Sequence, residues 1–496
     1  MTLPNGWVWT TIGEIANQIN PGFPSGQHNA EHRGVPHLRP MNISAKGEIA
    51  LSDRKYVEVT EYDPLLKGDV LFNNTNSPVL LGKTSYIKQD TNWAYSNHMT
   101  RIRFVKGHVD SGWVAFYLHH LFLTGYFSLN CRHHVNQASI GKGFLSEIAI
   151  PLPPLPEQHG IVAEIEKQFT RLDAGVAALK RAQANLKRYK ATVLKAACEG
   201  RLVPQDPNDE PASELLERIL AERRAKWEAN LLAKGKDPSK AKYVEPAPPD
   251  ADMLPELPAG WAVTSIEAVT SRVTYGITVR PEYVDEGIPV ISAREIRSGQ
   301  IDLDVAKQIS CQDFRVLRSN CKLLEDDVLF SKTGSIGHVA RVKIRKPLCA
   351  SQNIAVLSPL INSAYLEIFL RGPDIQKRAT AGIKTTAVAD LQLGILKRFP
   401  ICLPPEAEQR RIVTEVERRL SVVQEVEAVI AANLARAERL RQSILKQAFE
   451  GRLVEQDPND EPASVLLERI KAHRAGATPV VALGAGTRPA PTRGKA

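Results

Sequence analysis

No apolar window in this 496-residue chain approaches the ~18 uninterrupted residues of a membrane-spanning helix, so no segment reads as transmembrane. The start, Met1-Thr2-Leu3-Pro4-Asn5-Gly6-Trp7, has no basic stretch followed by an apolar one, which argues against a secretory signal and for a cytoplasmic protein with no membrane partner. Six cysteines are scattered without a C-x-x-C pair, excluding a zinc knuckle or disulfide framework and leaving them as small buried hydrophobes. Phosphate loops are missing too. Gly82-Lys83-Thr84 resembles the end of one, but Ser77 stands where its first glycine belongs, and Lys332-Thr333-Gly334 has no such loop before it. Nine of the twelve histidines precede residue 151, yet the neighbours His119-His120 and His133-His134 point apart on a regular element and make poor chelates, so no metal site is expected.

Length and composition set the frame for what is there. At about 150 residues per domain the chain should hold three or four units. Its 43% apolar, 24% charged balance is ordinary for a soluble globular protein. The formal charge of +9 hints at a polyanionic partner. Its location weakens the hint, because residues 471–496 carry Lys471, Arg474, Arg488, Arg493 and Lys495 with no acid. That Ala/Pro/Gly/Thr-rich stretch reads as a basic disordered tail. The stretch 1–151 is nearly balanced, with 13 basic against 11 acidic side chains.

An internal repeat decides the architecture. Glu199 to Ile219 (EGRLVPQDPNDEPASELLERI) and Glu450 to Ile470 (EGRLVEQDPNDEPASVLLERI) agree at 19 of 21 positions with a lag of 251. The lag runs back through Leu152-Pro153-Pro154 and Leu403-Pro404-Pro405, and through Glu157-Gln158 and Glu408-Gln409. A fainter match lies upstream: Leu3-Pro4-Asn5-Gly6-Trp7 with Leu257-Pro258-Ala259-Gly260-Trp261, and Asp69-Val70-Leu71-Phe72 with Asp327-Val328-Leu329-Phe330. The drifting lag means loops of different length on a common frame. The order is therefore variable unit, constant unit, variable unit, constant unit.

From Glu157 the apolar positions Ile161, Ile165, Leu172, Val176, Leu179, Leu186, Val193 and Ala197 fall on helical steps of three, four or seven. Gly200 and its counterpart Gly451 are placed to end such helices in a left-handed turn. The spacing predicts helices of about 42 residues, roughly 63 Å long. Rods of that length need a mate, and the obvious one is the other copy. Gln183 and Lys190 interrupt one stripe and Glu427 and Arg441 the other, which leaves room for a further helix from a partner. The variable units show short β-branched runs and read as mixed α/β or β-rich domains. The fold class is α+β: two such domains joined by two long antiparallel coiled-coil helices with a pseudo-two-fold repeat. The expected boundaries are 1–151, 152–199, 200–256 (repeated segment, polar helix near Ala212 to Ala233, linker), 257–402, 403–450, 451–470 and 471–496.

Nearly identical constant units suit two copies of one partner, while divergent loops on a shared frame suit two different base sequences. At this point the chain resembles the specificity subunit of Type I restriction-modification systems, over nearly all of residues 1–470. The resemblance rests on the Leu-Pro-x-Gly-Trp openings, the Asp-Val-Leu-Phe segments, the Pro-Leu-Pro-Pro-Leu-Pro-Glu-Gln junction and the Glu-Gly-Arg-Leu-Val repeats. It implies two target recognition domains that each read half of a split double-stranded DNA site, with the coiled coil setting the gap. It also implies docking of two methylase subunits carrying S-adenosylmethionine, and of two motor-nuclease subunits using ATP and magnesium. By the same resemblance this chain carries no cofactor and no chemistry of its own. An adenine methylase needs an Asp/Asn-Pro-Pro-Tyr/Phe loop, and Leu152-Pro153-Pro154 lacks both the polar residue and the aromatic. A stand-alone DNA-binding scaffold is the alternative.

Candidate DNA contacts follow from side-chain chemistry. In the first variable unit they are Asn74, Asn76, Lys83, Asn97, Arg101 and Arg103. In the second they are Lys332, Thr333, Ser335, Arg341, Gln352, Arg378 and Lys384. Lys83 and Arg341, basic at matched positions, are assigned to phosphate contact.

Overall fold

Two helices of 44 residues each, Leu155–Cys198 and Glu406–Phe449, carry the repeat. The computed structural model describes residues 3–135, 137–250, 256–297, 299–382 and 389–476. Each long helix starts just after a proline cluster and stops at a glycine. Gly200 and Gly451 have φ of 70° and 65°. The next amide closes the turn, Arg201 N–H to the Ala196 carbonyl and Arg452 N–H to the Gln447 carbonyl, both 2.9 Å. Only glycine fits there, because a Cβ would lie 2.4 Å from Pro258 Cγ at one end and 2.3 Å from Pro4 Cγ at the other.

Burial along Glu406–Phe449 follows a heptad seam: Val416, Val423, Ile430, Ala437 and Ile444 are all buried. Along the first helix Leu172, Val176, Leu179 and Leu186 are half-buried. The chain divides into two compact units, Met1–Leu179 with Ala432–Ala496, and Lys180–Ala431. The boundary cuts both helices, so neither rod belongs to one head. In the first unit the start of helix one packs with the end of helix two: Ile161, Ile165 and Phe169 share a core with Ile444, Leu445 and Phe449. In the second unit the halves are exchanged, with Val193, Leu194 and Ala197 in a core with Ile412 and Val416. The helices therefore run antiparallel where they meet.

Three of the four polar interruptions find partners inside the chain. Lys190 Nζ lies 2.7 Å from the Glu427 carboxylate. Arg441, almost fully buried, donates from Nη2 to both Asp173 carboxylate oxygens at 2.7 and 2.8 Å and lies 4.1 Å over the Phe169 ring. At Lys190, Glu427 and Arg441 the polar groups are met by ion pairs within the chain, while Gln183 is exposed.

Each head is built on the same frame. The first has a four-stranded antiparallel sheet ordered Ala16–Pro21, Met99–Phe104, Val70–Asn73, Thr84–Tyr86. The second repeats it as Thr270–Tyr275, Ile354–Pro359, Val328–Ser331, Val339–Arg341. A smaller three-stranded sheet follows suit. Val35–Leu38 pairs antiparallel with Lys55–Val57 and parallel with Ala94–Tyr95, and Ile288–Ile291 pairs likewise with Lys307–Ile309 and Cys349–Ala350. Fully buried Val70, Leu71 and Phe72, and Val328, Leu329 and Phe330, fill both faces of the central strands.

After each long helix the repeated segment docks on the head that did not precede that helix in sequence. Ala463, Leu466, Leu467 and Ile470 enter the core of the first head, and Ala212, Leu215 and Ile219 pack with Leu403 and Ala262 of the second. The helix Ala463–Gly476 runs past Ile470, and Arg474 donates to the carbonyls of Gly13 and Glu14. The start of the expected disordered tail, Lys471 to Gly476, is thus helical, a correction explained by this anchoring; residues 477–496 lie outside the described residues. Among the described residues no helix is long and apolar enough to cross a membrane, and no cluster of three or more His, Cys, Asp or Glu could hold a metal.

Candidate nucleic-acid interface

Two matched polar clusters position the heads on the helices. In the first unit Trp7 Nε1 donates to Glu157 at 2.9 Å, and Gln456 from the second repeated segment reaches the same carboxylate at 3.2 Å. The Ala463 amide donates to the Gly6 carbonyl at 2.8 Å. The second unit duplicates this: Trp261 Nε1 to Glu408 at 2.9 Å, Gln205 to Glu408 at 2.8 Å, and Ala212 N–H to the Gly260 carbonyl at 2.8 Å. Gln158 and Gln409 complete each cluster, accepting from the amides of Asp110 and Asn362. Burial raises the carboxyl pKa of both Glu157 and Glu408, and the indole and amide donors work against that rise. One element differs: Arg411 pairs with Asp209 in the second unit, while the matched position of the first is Gly160.

The sequence-derived contact residues divide into struts and surface groups. Asn74 is buried, donating to the Asn97 carbonyl and to Thr100 Oγ1. Lys83 is sealed inside the first head, 6% exposed, its ammonium on the Ile43 carbonyl and its pKa lowered by burial. Its assignment to phosphate contact is corrected, because the ammonium is already spent on the interior. Arg101 is 1% exposed, paired with Asp63 at 2.6 Å and with Gln18 at 3.0 Å. Arg103 makes a bidentate pair with the buried Asp69, both contacts 2.7 Å. In the second head Lys332 and Thr333 both bond Asp390, and Arg341 pairs with Asp326 at 3.0 Å. Arg101, Arg103, Lys332 and Arg341 are thus paired with carboxylates of their own heads, of which Asp69 is buried.

The surface set is smaller. Asn97, Ser335 and Gln352 are exposed, and Asn76 is half-buried on a strand paired to Ala138–Ser139. Arg378 is half-buried and donates to the Asp250 carbonyl, and Lys384 lies outside the described residues. The structure thus groups Asn97 and Gln352 at equivalent turns of the two heads, buries Arg101 and leaves Arg103, Arg341 and Arg378 partly exposed. Sequence reasoning passed over Trp7, Trp261, Gln205 and Gln456 as functional residues, although the repeat itself marks each as matched between copies.

Residues 4–185 and 277–421 match the Type I restriction modification DNA specificity domain. The chain is 26% identical over 499 residues to the Type I restriction enzyme EcoBI specificity subunit of Escherichia coli, covering 96% of this chain and 94% of that protein. It is 24% identical over 503 residues to the EcoKI specificity subunit of Escherichia coli (strain K12), covering 95% and 96%. Among solved structures, a chain of a type I R-M system studied for complex assembly and conformational transition superposes with a TM-score of 0.64 at 18% identity, covering 91% of this chain and all of that one. The HsdS subunit from Thermoanaerobacter tengcongensis gives 0.52 at 19% identity, covering 91% and 99%. With the doubled frame, the shared helices and more than half of the sequence matched, the chain belongs to the Type I restriction-modification DNA specificity subunit family.

Proposed function

We propose that this chain is the DNA sequence-recognition subunit of a Type I restriction-modification complex. Each head reads one half of an asymmetric two-part site in double-stranded DNA, and the paired helices set the unspecified gap. The outward flanks of the helices dock two adenine methylase subunits and, through them, two motor-nuclease subunits. S-adenosylmethionine, ATP and magnesium belong to those partners, and the chain is not catalytic alone.

The observation that carries this reading is the contrast between the two parts of the repeat. The Trp–Glu and Gln–Glu bonds of the two clusters are repeated in both units. The exposed turns on the common frame differ, with Asn97-His98 in one head and Gln352-Asn353 in the other. Alike scaffolding suits alike partners, and unlike turns suit unlike bases. The near-two-fold repeat also matches the two-fold backbone of duplex DNA.

The test is methylated-adenine mapping in a host carrying this chain and its methylase, repeated with residues 257–402 replaced by another head. One half of the modified motif should change and the other stay. A change in both halves would refute independent reading. Deleting two turns from each long helix should alter the gap and leave the bases read untouched. Failure to co-purify with any adenine methylase would favour the stand-alone scaffold instead.

A further inference from the structure

Both heads present one exposed turn through the same set of main-chain bonds. In the first, Ser96 N–H donates to the Leu38 carbonyl, Met99 N–H to Ser96, Phe23 N–H to Tyr95, and the His98 carbonyl accepts from Asn74. In the second, Ser351 N–H donates to Ile291, Ile354 N–H to Ser351, Ile277 N–H to Ala350, and the Asn353 carbonyl accepts from Lys332. One bond within the turn and three to other segments fix the turn backbone, so only its side chains are free to differ. The strand leading into each turn packs so closely on its neighbour that a Cβ at Gly22 or Gly276 would overlap the Tyr95 or Ala350 carbonyl oxygen.

Beside the turn the two heads diverge. In the first head the rings of Phe23 and His37 stand 4.9 Å apart, and His28 Nε2 lies 2.8 Å from His37 Nδ1. Burial, aided by His28, pushes the His37 pKa down to about 4, so this stack is neutral at physiological pH. The matched place in the second head is a cavity of about 360 Å³ lined by Arg280, Lys307, Ser351, Gln352 and Asn353 among others. Among the described residues the Ser351 hydroxyl there is buried without a hydrogen-bond partner, the Gln352 and Asn353 amides make no side-chain bond, and the exposed Arg280 has no acidic partner. Lys307 lies 4.7 Å over the Tyr283 ring. A buried hydroxyl, two amides and a guanidinium thus converge on one open cavity, where they can offer donors and acceptors to a polar ligand.

Resting on the proposed DNA reading, we infer that the Ser351–Gln352–Asn353 turn and the cavity beside it are the base-reading surface of the second head, taking base edges of duplex DNA. Amides offer the paired donor and acceptor that base edges in the major groove present, adenine above all. Arg280 and Lys307 flank them with the cations that a phosphate or guanine edge requires. The Ser96–Asn97–His98 turn serves the same purpose in the first head, with a filled neighbour in place of the cavity and hence different bases.

The experiment uses the full chain with its methylase subunits in a host free of adenine methylation, and maps modified adenines genome-wide for wild type, Q352A, N353A and N97A. Among the described residues these side chains make no hydrogen bond to a distant segment, and unchanged thermal midpoints check that the fold is kept. Q352A and N353A should raise modification of sites mismatched at one or two positions of a single half by tenfold or more, with the other half intact. N97A should relax the opposite half. A wild-type two-part motif that all three variants leave unchanged overturns this inference alone. Absence of any two-part motif with the wild-type chain overturns it together with the proposed function.

Discussion

Arg103 and Arg272 neutralise equivalent buried aspartates from opposite strands of the same strand pair. In the first head Gln18 faces Arg103 across the sheet, and Arg103 holds Asp69. In the second Arg272 faces Ser358, and Arg272, on the strand equivalent to that of Gln18, holds Asp327 at 2.6 Å with Ser358 as a second donor. The carboxylates stay in place because each accepts the amide of the residue three before it, Leu66 or Leu324, at 2.8 Å.

The exchange predicts a rescue. R103S should strand the Asp69 carboxylate and cost about 3 kcal/mol, the low end for a broken buried pair because Arg103 is one-fifth exposed. Q18R/R103S, which copies the second head, should recover at least half of that loss in denaturant unfolding. No recovery would mean the strand position of the arginine matters beyond charge.

Removing Glu157 tests the cluster under the first head. E157A leaves the Trp7 indole N–H and the Gln456 amide without their acceptor and should destabilise by about 1–3 kcal/mol. E408A should do the same in the second unit.

The two glutamates also set a pH dependence. Their folded pKa values are raised by burial, so the native state holds the proton more tightly than the unfolded chain does. That contribution is present below the ordinary value of 4.5 and is lost as pH rises through the folded value. Relative to E157Q/E408Q, wild type should therefore lose stability as pH climbs above 4.5, measured by thermal unfolding across the range. A constant difference would show that the donors cancel burial, and a gain of stability with rising pH that they outweigh it.

Arg441 should resist conservative replacement. Its Nη2 donates to both Asp173 oxygens while the guanidinium lies 4.1 Å over the Phe169 ring, a ring contact that a compact ammonium copies poorly. R441K should cost more than about 1 kcal/mol, and R441A about 3 kcal/mol. The matched K190A should cost under about 1 kcal/mol, because Lys190 and Glu427 are each one-third exposed.

Lys83 separates stability from DNA contact. K83M should lower the thermal midpoint, since the buried Ile43 carbonyl loses its donor, while leaving the salt dependence of DNA binding as in wild type. A shallower salt slope would return Lys83 to the phosphate-contact set.

The primary sequence alone determined the doubled organisation, the two long helices with their glycine stops, and the position of the central strands, because periodicity and repetition are local or self-referential signals. It could not tell which cations would be struts. Asn74, Lys83, Arg101 and Arg103 carry the chemistry of DNA contacts, but their burial depends on carboxylates and carbonyls contributed by distant segments. Only the tertiary structure decided that each repeated segment crosses to the other head, and that one turn in each head stands free. Both depend on long-range packing, where a side chain's partner is set by the fold and its neighbours in the chain have no say.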